Sequence, residues 1–314
     1  MTYPSSMRST FDADHHPITR VMVAGTGVLG AQIAFQCAFS GVDVTAYDAD
    51  VACLERADAR FDALGRAYAA DLGASREQID AALARIDGHT DLGSAVADAD
   101  LVIEAIPEDL AIKQSFYCAL SGVAPAGAIF ASNSSTLVPS QFATFTDRPA
   151  RVLSLHFAHE VWKHNIAEIM GHPGTDPAVF ERVVRFAHRI GMVPLPLRKE
   201  QPGYLLNTML VPTLIAALGL LVNEVADVPT IDKAWMIAKG DRIGPFGILD
   251  GIGMTTVYNV TRALAERSGD SSHRRIAEYV KTHFIDTGHL GEAVGRGFYR
   301  YPDPDFRNPA FVSA

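Results

Sequence analysis

The chain has 314 residues, 48% of them hydrophobic, which is enough apolar material for one large core or two ordinary ones. A formal net charge of −9 with no long basic block argues against a nucleic-acid partner. The three cysteines, Cys37, Cys53 and Cys118, form no C-x-x-C pair, a usage that fits a reducing compartment and indicates neither disulfides nor a zinc knuckle.

Residues 1–17 are polar, with Asp12, Asp14, His15, His16 and Pro17, and lack the apolar stretch of a secretory signal; they read as a mobile arm on a cytoplasmic protein. The run from Val21 to Gly30 then predicts a strand, a glycine turn and the start of a helix. Gly25 makes the tight turn. Gly27 leaves room for a pyrophosphate to approach the backbone, where the free N–H groups of the helix start, at Val28 and Leu29, and the positive end of the helix dipole favour an anion. Gly30 lets the helix pack closely on the strand. Glycine spacing alone is weak evidence, but an apolar helix follows (Ile33, Ala34, Phe35, Cys37, Ala38), and a second strand, Val42–Tyr47, ends in Asp48. A carboxylate there accepts hydrogen bonds from ribose hydroxyls and repels a 2′-phosphate, which predicts NAD as the cofactor and not NADP.

Further strands are expected at Leu101–Ala105, Ala128–Ala131, Val152–Phe157, Ile166–Met170 and Val193–Leu197, with helices between most of them, including a long charged pair across 51–84. Such alternation predicts an α/β domain of the Rossmann type, a doubly wound, mostly parallel sheet covered on both faces. After the segment 198–203 no convincing strand follows and helices dominate. The expected organisation is therefore an arm over 1–17, a dinucleotide-binding domain over 18–199 and an all-α domain over 200–314. Leu205–Val222 is uncharged and approaches the ~20 residues of a membrane span. Interrupted by Asn207, Thr208, Pro212, Thr213 and Gly219, it reads instead as a helix buried on all sides in the second domain or across a subunit interface.

Three places could carry chemistry. Glu104 to Glu108 follow a strand's carboxyl end, where open α/β sheets bind ligands; alternatively, Glu108 and Lys113 merely begin a surface helix. Ser132-Asn133-Ser134-Ser135-Thr136 is either an ordinary loop or cap, or a set of hydroxyl and amide groups facing a nicotinamide and a substrate oxygen. Glu168 sits inside an apolar strand, where a charge is expensive unless paired, and His156 is its obvious partner if the two strands are adjacent. A histidine held by a carboxylate is a general acid/base pair, although buried histidines are often only satisfied core residues. His156, His159, His164 and His172 cluster in sequence, but His159-Glu160-Val161-Trp162-Lys163 lacks the second histidine of H-E-x-x-H, so no metal site is expected.

In order and spacing, Gly25–Gly30, Glu104–Lys113, Ser132–Leu137, His156-Phe157 with Glu168, Gly203-Tyr204-Leu205-Leu206-Asn207, Gly244-Pro245-Phe246 and Gly295–Tyr299 resemble the 3-hydroxyacyl-CoA dehydrogenase family. The resemblance runs from about Ile18 to Tyr301, and His156–Trp162 is similar to a bacterial subgroup that includes the diketoreductases. It implies His156 as catalytic base, Glu168 as its orienting carboxylate, and Ser135 and Asn207 as the groups holding the substrate's C3 oxygen. It also implies Asp48, Glu108 and Lys113 as cofactor contacts, and a helical second domain that forms a homodimer interface. The expected activity is NAD-dependent interconversion of 3-hydroxy and 3-oxo acyl compounds, as in fatty acid metabolism.

Two departures bear on the substrate. Ala158-His159-Glu160 replaces the family's Phe-Asn-Pro, and no lysine precedes Lys113 to meet CoA phosphates, leaving Arg56, Arg60 and Arg66 as substitutes. Trp162 is expected to reshape the pocket. Non-CoA β-keto or 3,5-diketo acids and esters are therefore alternative substrates, and a non-catalytic dinucleotide-binding protein is the alternative outside enzymes.

Overall fold

The computed structural model describes residues 17–313, so the expected arm lies, except for Pro17, outside the described residues. By its internal contacts the chain forms two compact units, one ending at Leu205 and the other beginning at Leu206. Residues 200–205 go with the first unit, where the Tyr204 hydroxyl donates to the Ser134 carbonyl (2.7 Å) and the Leu205 N–H to Glu168 Oε1 (2.8 Å).

The first unit is one eight-stranded sheet. Its strands are β1 (Arg20–Ala24), β2 (Asp43–Tyr47), β3 (Ile86–His89), β4 (Leu101–Glu104), β5 (Ile129–Ser132), β6 (Val152–Phe157), β7 (Ile166–Gly171) and β8 (Val193–Leu197). The order is β3-β2-β1-β4-β5-β6-β7-β8, parallel throughout except where β7 runs antiparallel to β6. The helices are α1 (Val28–Phe39), α2 (Val51–Leu72), α3 (Arg76–Leu83), α4 (Leu92–Val96), α5 (Leu110–Val123) and α6 (Pro177–Arg189). This is the doubly wound dinucleotide-binding topology, and β1 and β4 flank the point where the strand order reverses.

Every residue of β4, β5 and β6 is buried, as strands covered on both faces require. Val23, Ile103, Ala131, Leu155 and Phe157 join α1 and α2 in one core cluster, while Met22, Val102, Phe130 and Val152 join Tyr117 and Leu120 of α5 in the other. Since side chains alternate along a strand, His156, between Leu155 and Phe157, points to the α5 side.

Strand β3 departs from the expectation of a helical pair followed directly by Leu101–Ala105. Ile86-Asp87-Gly88-His89 is half exposed and shows no apolar alternation; it is a strand because the open edge of β2 offers it a ladder from Val44 to Tyr47. The stretch between β5 and β6 holds three single 3₁₀ turns (Pro139–Gln141, Ala143–Phe145, Pro149–Arg151) and no α-helix.

The second unit contains α7 (Leu206–Val222), α8 (Val228–Lys239), α9 (Pro245–Ile252), α10 (Met254–Ser268) and α11 (Ser271–Val280), and among the described residues no strand beyond isolated bridges at Gly291, Arg296 and Arg300. Its core gathers Leu214, Leu218, Phe246, Leu249, Met254 and Val280. Two buried carboxylates tie it together. Asp232 accepts the N–H groups of Phe246 (2.9 Å) and Gly247 (3.3 Å), in the first turn of α9, and the Tyr299 hydroxyl (2.8 Å). Asp250 accepts the N–H groups of Phe298 (2.8 Å) and Tyr299 (2.9 Å) and the Tyr301 hydroxyl (3.1 Å). A Cβ at Gly244 would lie 2.3 Å from Asp232 Cγ, and one at Gly297 would lie 2.0 Å from an Asp250 carboxylate oxygen, so only glycine admits either carboxylate.

Helix α7 corrects the expectation of a helix buried on all sides within its own domain. Only Leu214, Ala217 and Leu218 are buried, while Met209 is 66% and Leu220 42% exposed. Among the described residues no helix is long and apolar enough to cross a membrane.

Candidate active site

The glycine turn lies where β1 meets α1. Gly25 has φ +94°, and a Cβ on it would fall 2.5 Å from the Ala105 carbonyl oxygen beyond β4, so the loops leaving the two strands touch only because it is glycine. At Gly30 a Cβ would lie 1.9 Å from the Gly25 carbonyl oxygen, which accounts for the third glycine. Gly27 differs: its Cβ would meet no atom within 4 Å, so the space it leaves is open. Gly27 is also the N-cap of α1 and supplies no side-chain acceptor to the helix start, which begins with Val28 and Leu29. Uncapped N–H groups beside open space suit an anion. At the end of β2, Asp48 Oδ2 accepts both the N–H and the hydroxyl of Thr26 (3.0 Å each), joining the carboxylate to the glycine turn. These residues fit a dinucleotide: a cradle at Gly27 for the pyrophosphate and a carboxylate at the ribose position.

The second cluster lies beyond β4. Glu104 and Lys113 are wholly buried, with Lys113 Nζ 2.6 Å from Glu104 Oε1 and 3.4 Å from Glu108 Oε2. Glu104 also accepts the Ser132 hydroxyl (2.7 Å), the Tyr117 hydroxyl (3.3 Å) and the Ile106 N–H (3.0 Å), so its acceptor capacity is used within the fold. Glu108 Oε1 takes the Ser134 hydroxyl, the Thr136 hydroxyl (2.7 Å) and the Thr136 N–H (3.0 Å). Burial pushes the Glu108 carboxyl up, but these bonds and the Lys113 ammonium outweigh it and hold it below its usual value. Glu108 thus clamps the residues on either side of Ser135, while Lys113, expected as a cofactor contact, has no exposed surface and touches this cluster only through Glu104 and Glu108.

The third cluster joins β5, β6 and β7. In the antiparallel register His156 stands directly opposite Glu168, and Nδ1 lies 2.9 Å from Glu168 Oε2 with both side chains buried. The other ring nitrogen, Nε2, lies 3.1 Å from Ser135 Oγ. With Nδ1–H donated to the carboxylate, Nε2 is the basic nitrogen, directed toward the serine. Asn133 is buried and uses its side-chain oxygen on the Phe157 N–H (2.9 Å), which leaves its amide NH₂ to offer a ligand. Asn207 stands in the first turn of α7, in the second unit.

Two features were not foreseen, and one expectation is corrected. Tyr204 is fully buried with φ +53°, and its ring stacks on His156, centroids 4.4 Å apart and planes 13° apart. Only the preceding Gly203, itself at φ +81°, hints at a turn there. Gln32 of α1 accepts the N–H groups of Glu160 (2.9 Å) and Val161 (3.4 Å), which fixes the β6–β7 loop; a buried glutamine within an apolar helix was the available signal. Trp162 corrects the expectation that it reshapes the pocket. Its indole donates to Asp71 (2.8 Å), and its ring lies 5.4 Å from that of Tyr68 in the α1/α2 cluster, on the sheet face opposite to the His156 side chain.

An imidazole with a carboxylate behind it and a hydroxyl before it, in a unit that also carries a dinucleotide cradle, suits a nicotinamide-dependent oxidoreductase of CH–OH groups. The comparisons with known proteins agree. The chain belongs to the 3-hydroxyacyl-CoA dehydrogenase family: the family's NAD-binding domain matches residues 20–201 and its C-terminal domain residues 203–301. It is an NAD-dependent oxidoreductase acting on CH–OH. The chain is 30% identical over 302 residues to the mitochondrial hydroxyacyl-coenzyme A dehydrogenase of Homo sapiens, covering 95% of this chain and 96% of that one. It is 30% identical over 289 residues to a probable 3-hydroxybutyryl-CoA dehydrogenase of Bacillus subtilis, covering 91% and 98%. A solved diketoreductase, described as acting on dicarbonyl compounds, shares 50% identity at a TM-score of 0.84, covering 91% of this chain and all of that one.

Proposed function

We propose that the protein interconverts 3-hydroxy and 3-oxo acyl compounds, with His156 as the general acid/base, and that short β-keto or 3,5-diketo acids and esters are turned over at least as efficiently as the CoA thioester. The observation that carries the reading is the His156 geometry, with a buried carboxylate on Nδ1 and Ser135 on Nε2.

NAD supplies the hydride acceptor for oxidation and, reduced, the hydride donor for reduction. Gly25, Gly27, Val28, Leu29 and Gly30 would hold its pyrophosphate and Asp48 its ribose, while Asn133 and Glu108, the latter backed by buried Lys113, would border its nicotinamide end. In oxidation His156 Nε2 takes the hydroxyl proton and Glu168 stabilises the resulting imidazolium. Ser135 donates a hydrogen bond to the C3 oxygen as negative charge gathers there, a role that the family resemblance also implies for Asn207. In reduction the same nitrogen returns the proton.

The preference for a substrate without CoA rests on α2 and on the 50% identical diketoreductase. Helix α2 carries Glu55, Asp58, Asp62 and Asp71 against Arg56, Arg60 and Arg66, which gives no net attraction for phosphates. Arg60 reaches back to the Thr26 carbonyl (3.4 Å) and Arg56 to Cys53 (3.0 Å). Measuring kcat/KM for a 3-oxo ester and for its CoA thioester decides the matter. The ester is expected to match or exceed the thioester; a CoA advantage above about a hundredfold, roughly 3 kcal/mol of transition-state binding, would refute the preference.

The assembly that fits best is a homodimer through the helical unit. Met209, Val225 and Ile237 are each more than 60% exposed and Leu220 and Ile252 at least 40%, apolar surface that a second copy would cover. Light scattering at micromolar concentration should give twice the chain mass. Three cysteines without a disulfide suit a cytoplasmic setting.

A further inference from the structure

A single dipeptide reaches all three parts of the acid/base cluster. The Tyr204 ring lies flat against the His156 imidazole at 4.4 Å, and its hydroxyl donates to the carbonyl of Ser134, the residue before Ser135. The N–H of the next residue, Leu205, donates to the Glu168 oxygen that His156 does not use. These three contacts coincide because Tyr204 adopts φ +53°, a region that L side chains rarely enter outside special turns. The turn is secured from within, Tyr204 N–H donating to the Gln201 carbonyl (2.9 Å). Non-glycine residues persist in that region where surrounding contacts over-determine them, and they gather at functional sites.

We propose that Tyr204 is a positioning residue for the reaction: its ring fixes the plane of the His156 imidazole, and its hydroxyl fixes the Ser135 loop, so that Nε2 and the Ser135 hydroxyl converge on one substrate oxygen. The inference rests on the acid/base role given above to His156. Packing against a flat ring removes the imidazole's freedom to tilt about its bond to the chain, a motion that the Glu168 hydrogen bond alone does not stop. The hydroxyl stays a donor because burial pushes the Tyr204 phenol up. From the other side Glu108 holds Ser134 and Thr136, so Ser135 lies between two anchors.

The test is a double-mutant cycle. Tyr204→Leu removes both the stack and the hydroxyl, whereas Tyr204→Phe keeps the stack. In the otherwise native enzyme Tyr204→Leu should lower kcat about 10- to 100-fold, the scale of a misplacement near 1 Å, and leave KM and NADH affinity within about threefold. Tyr204→Phe should lower kcat about three- to tenfold by the same reasoning. In a His156→Ala background the loss from Tyr204→Leu should shrink to that of Tyr204→Phe, at most about three- to tenfold, because the imidazole that the ring positions is gone while the Ser135 loop remains. An unchanged kcat in Tyr204→Leu, or an equal loss in both backgrounds, overturns the proposal. If Tyr204→Leu does not fold, Tyr204→Phe tests the hydroxyl's hold on the Ser135 loop, and an unchanged kcat in that variant overturns the proposal. A His156→Ala enzyme that keeps its rate would overturn the acid/base reading itself, an outcome separate from any effect of Tyr204.

Discussion

Replacing Glu168 by Gln changes one atom pair, and the surroundings dictate how the amide must sit. Glu168 uses both oxygens, Oε1 for the Leu205 N–H at 2.8 Å and Oε2 for His156 Nδ1 at 2.9 Å. In the glutamine only one of the two atoms can accept. The Leu205 N–H can only donate, so it claims the carbonyl oxygen, and the NH₂ is left facing Nδ1. A donor there makes Nδ1 the acceptor and moves the proton of the neutral imidazole to Nε2, the nitrogen beside Ser135. The ring then cannot take the substrate's proton in that form, and the imidazolium has lost its counter-charge. Where an amide imposes the wrong tautomer on a carboxylate–histidine pair the loss is about 10⁴ in kcat, while a charge effect alone would cost about 10- to 100-fold. We expect a loss of about 10³ or more. Because the overall equilibrium belongs to the reactants, kcat/KM should fall by the same factor for hydroxy-compound oxidation and ketone reduction at one pH. The assay follows NADH absorbance in both directions, with NADH binding measured separately and expected to be unchanged. Activity within tenfold of wild type would refute the tautomer argument, and unequal losses in the two directions would show that another step had been altered.

Asp232→Ala leaves the Phe246 and Gly247 N–H groups and the Tyr299 hydroxyl without their buried acceptor. At roughly 1–3 kcal/mol for each buried donor left unpaired, with partial relaxation, denaturant unfolding should show a loss of about 2–4 kcal/mol. Burial raises the Asp232 carboxyl above its usual value against the opposing hydrogen bonds, so the folded state holds that proton more tightly than the unfolded chain. Its proton-linked contribution is therefore full below the ordinary carboxylate range and lost as pH rises through the raised value, and the gap between wild type and variant should narrow in that window. For cofactor choice, a carboxylate facing a 2′-phosphate costs about 1–4 kcal/mol per charge at contact, so wild type should favour NADH over NADPH by about a hundredfold or more in kcat/KM. Asp48→Ser should cut that ratio at least about tenfold, while weakening NADH somewhat because Thr26 loses both of its bonds to Asp48. Equal use of NADPH by the wild-type protein would contradict the placement of Asp48.

Local periodicity made much of the first unit legible. Val21–Gly30 reads as strand, turn and helix because two of its glycines answer separate steric demands, each visible as a Cβ that would strike a carbonyl oxygen. The His156–Glu168 contact was legible because a charge in an apolar strand must find a partner, although the antiparallel register that sets them face to face is a tertiary fact. Strand β3 was not legible, since its four residues carry no pattern and owe their conformation to the edge of β2. Trp162 misled because nearness in sequence to His156 says nothing of sheet face, and the loop after β6 turns it toward Tyr68. Tyr204 was invisible for a different reason: a left-handed tyrosine has no propensity signal and arises only when neighbours enforce it. The exposure of α7 was half legible, since uniform apolarity marks a helix to be covered without saying by what.

The central claim is that His156 moves the substrate's proton in an NAD-dependent reaction at a 3-oxo carbon. It is tested most directly by comparing wild type with His156→Ala in NADH-dependent reduction of a 3-oxo ester, alongside a fluorescence titration of NADH binding. The account predicts measurable turnover in wild type, a loss of about 10²–10⁴ in kcat for the variant, and an NADH dissociation constant changed by no more than about threefold. A His156→Ala enzyme within tenfold of the wild-type rate would contradict it.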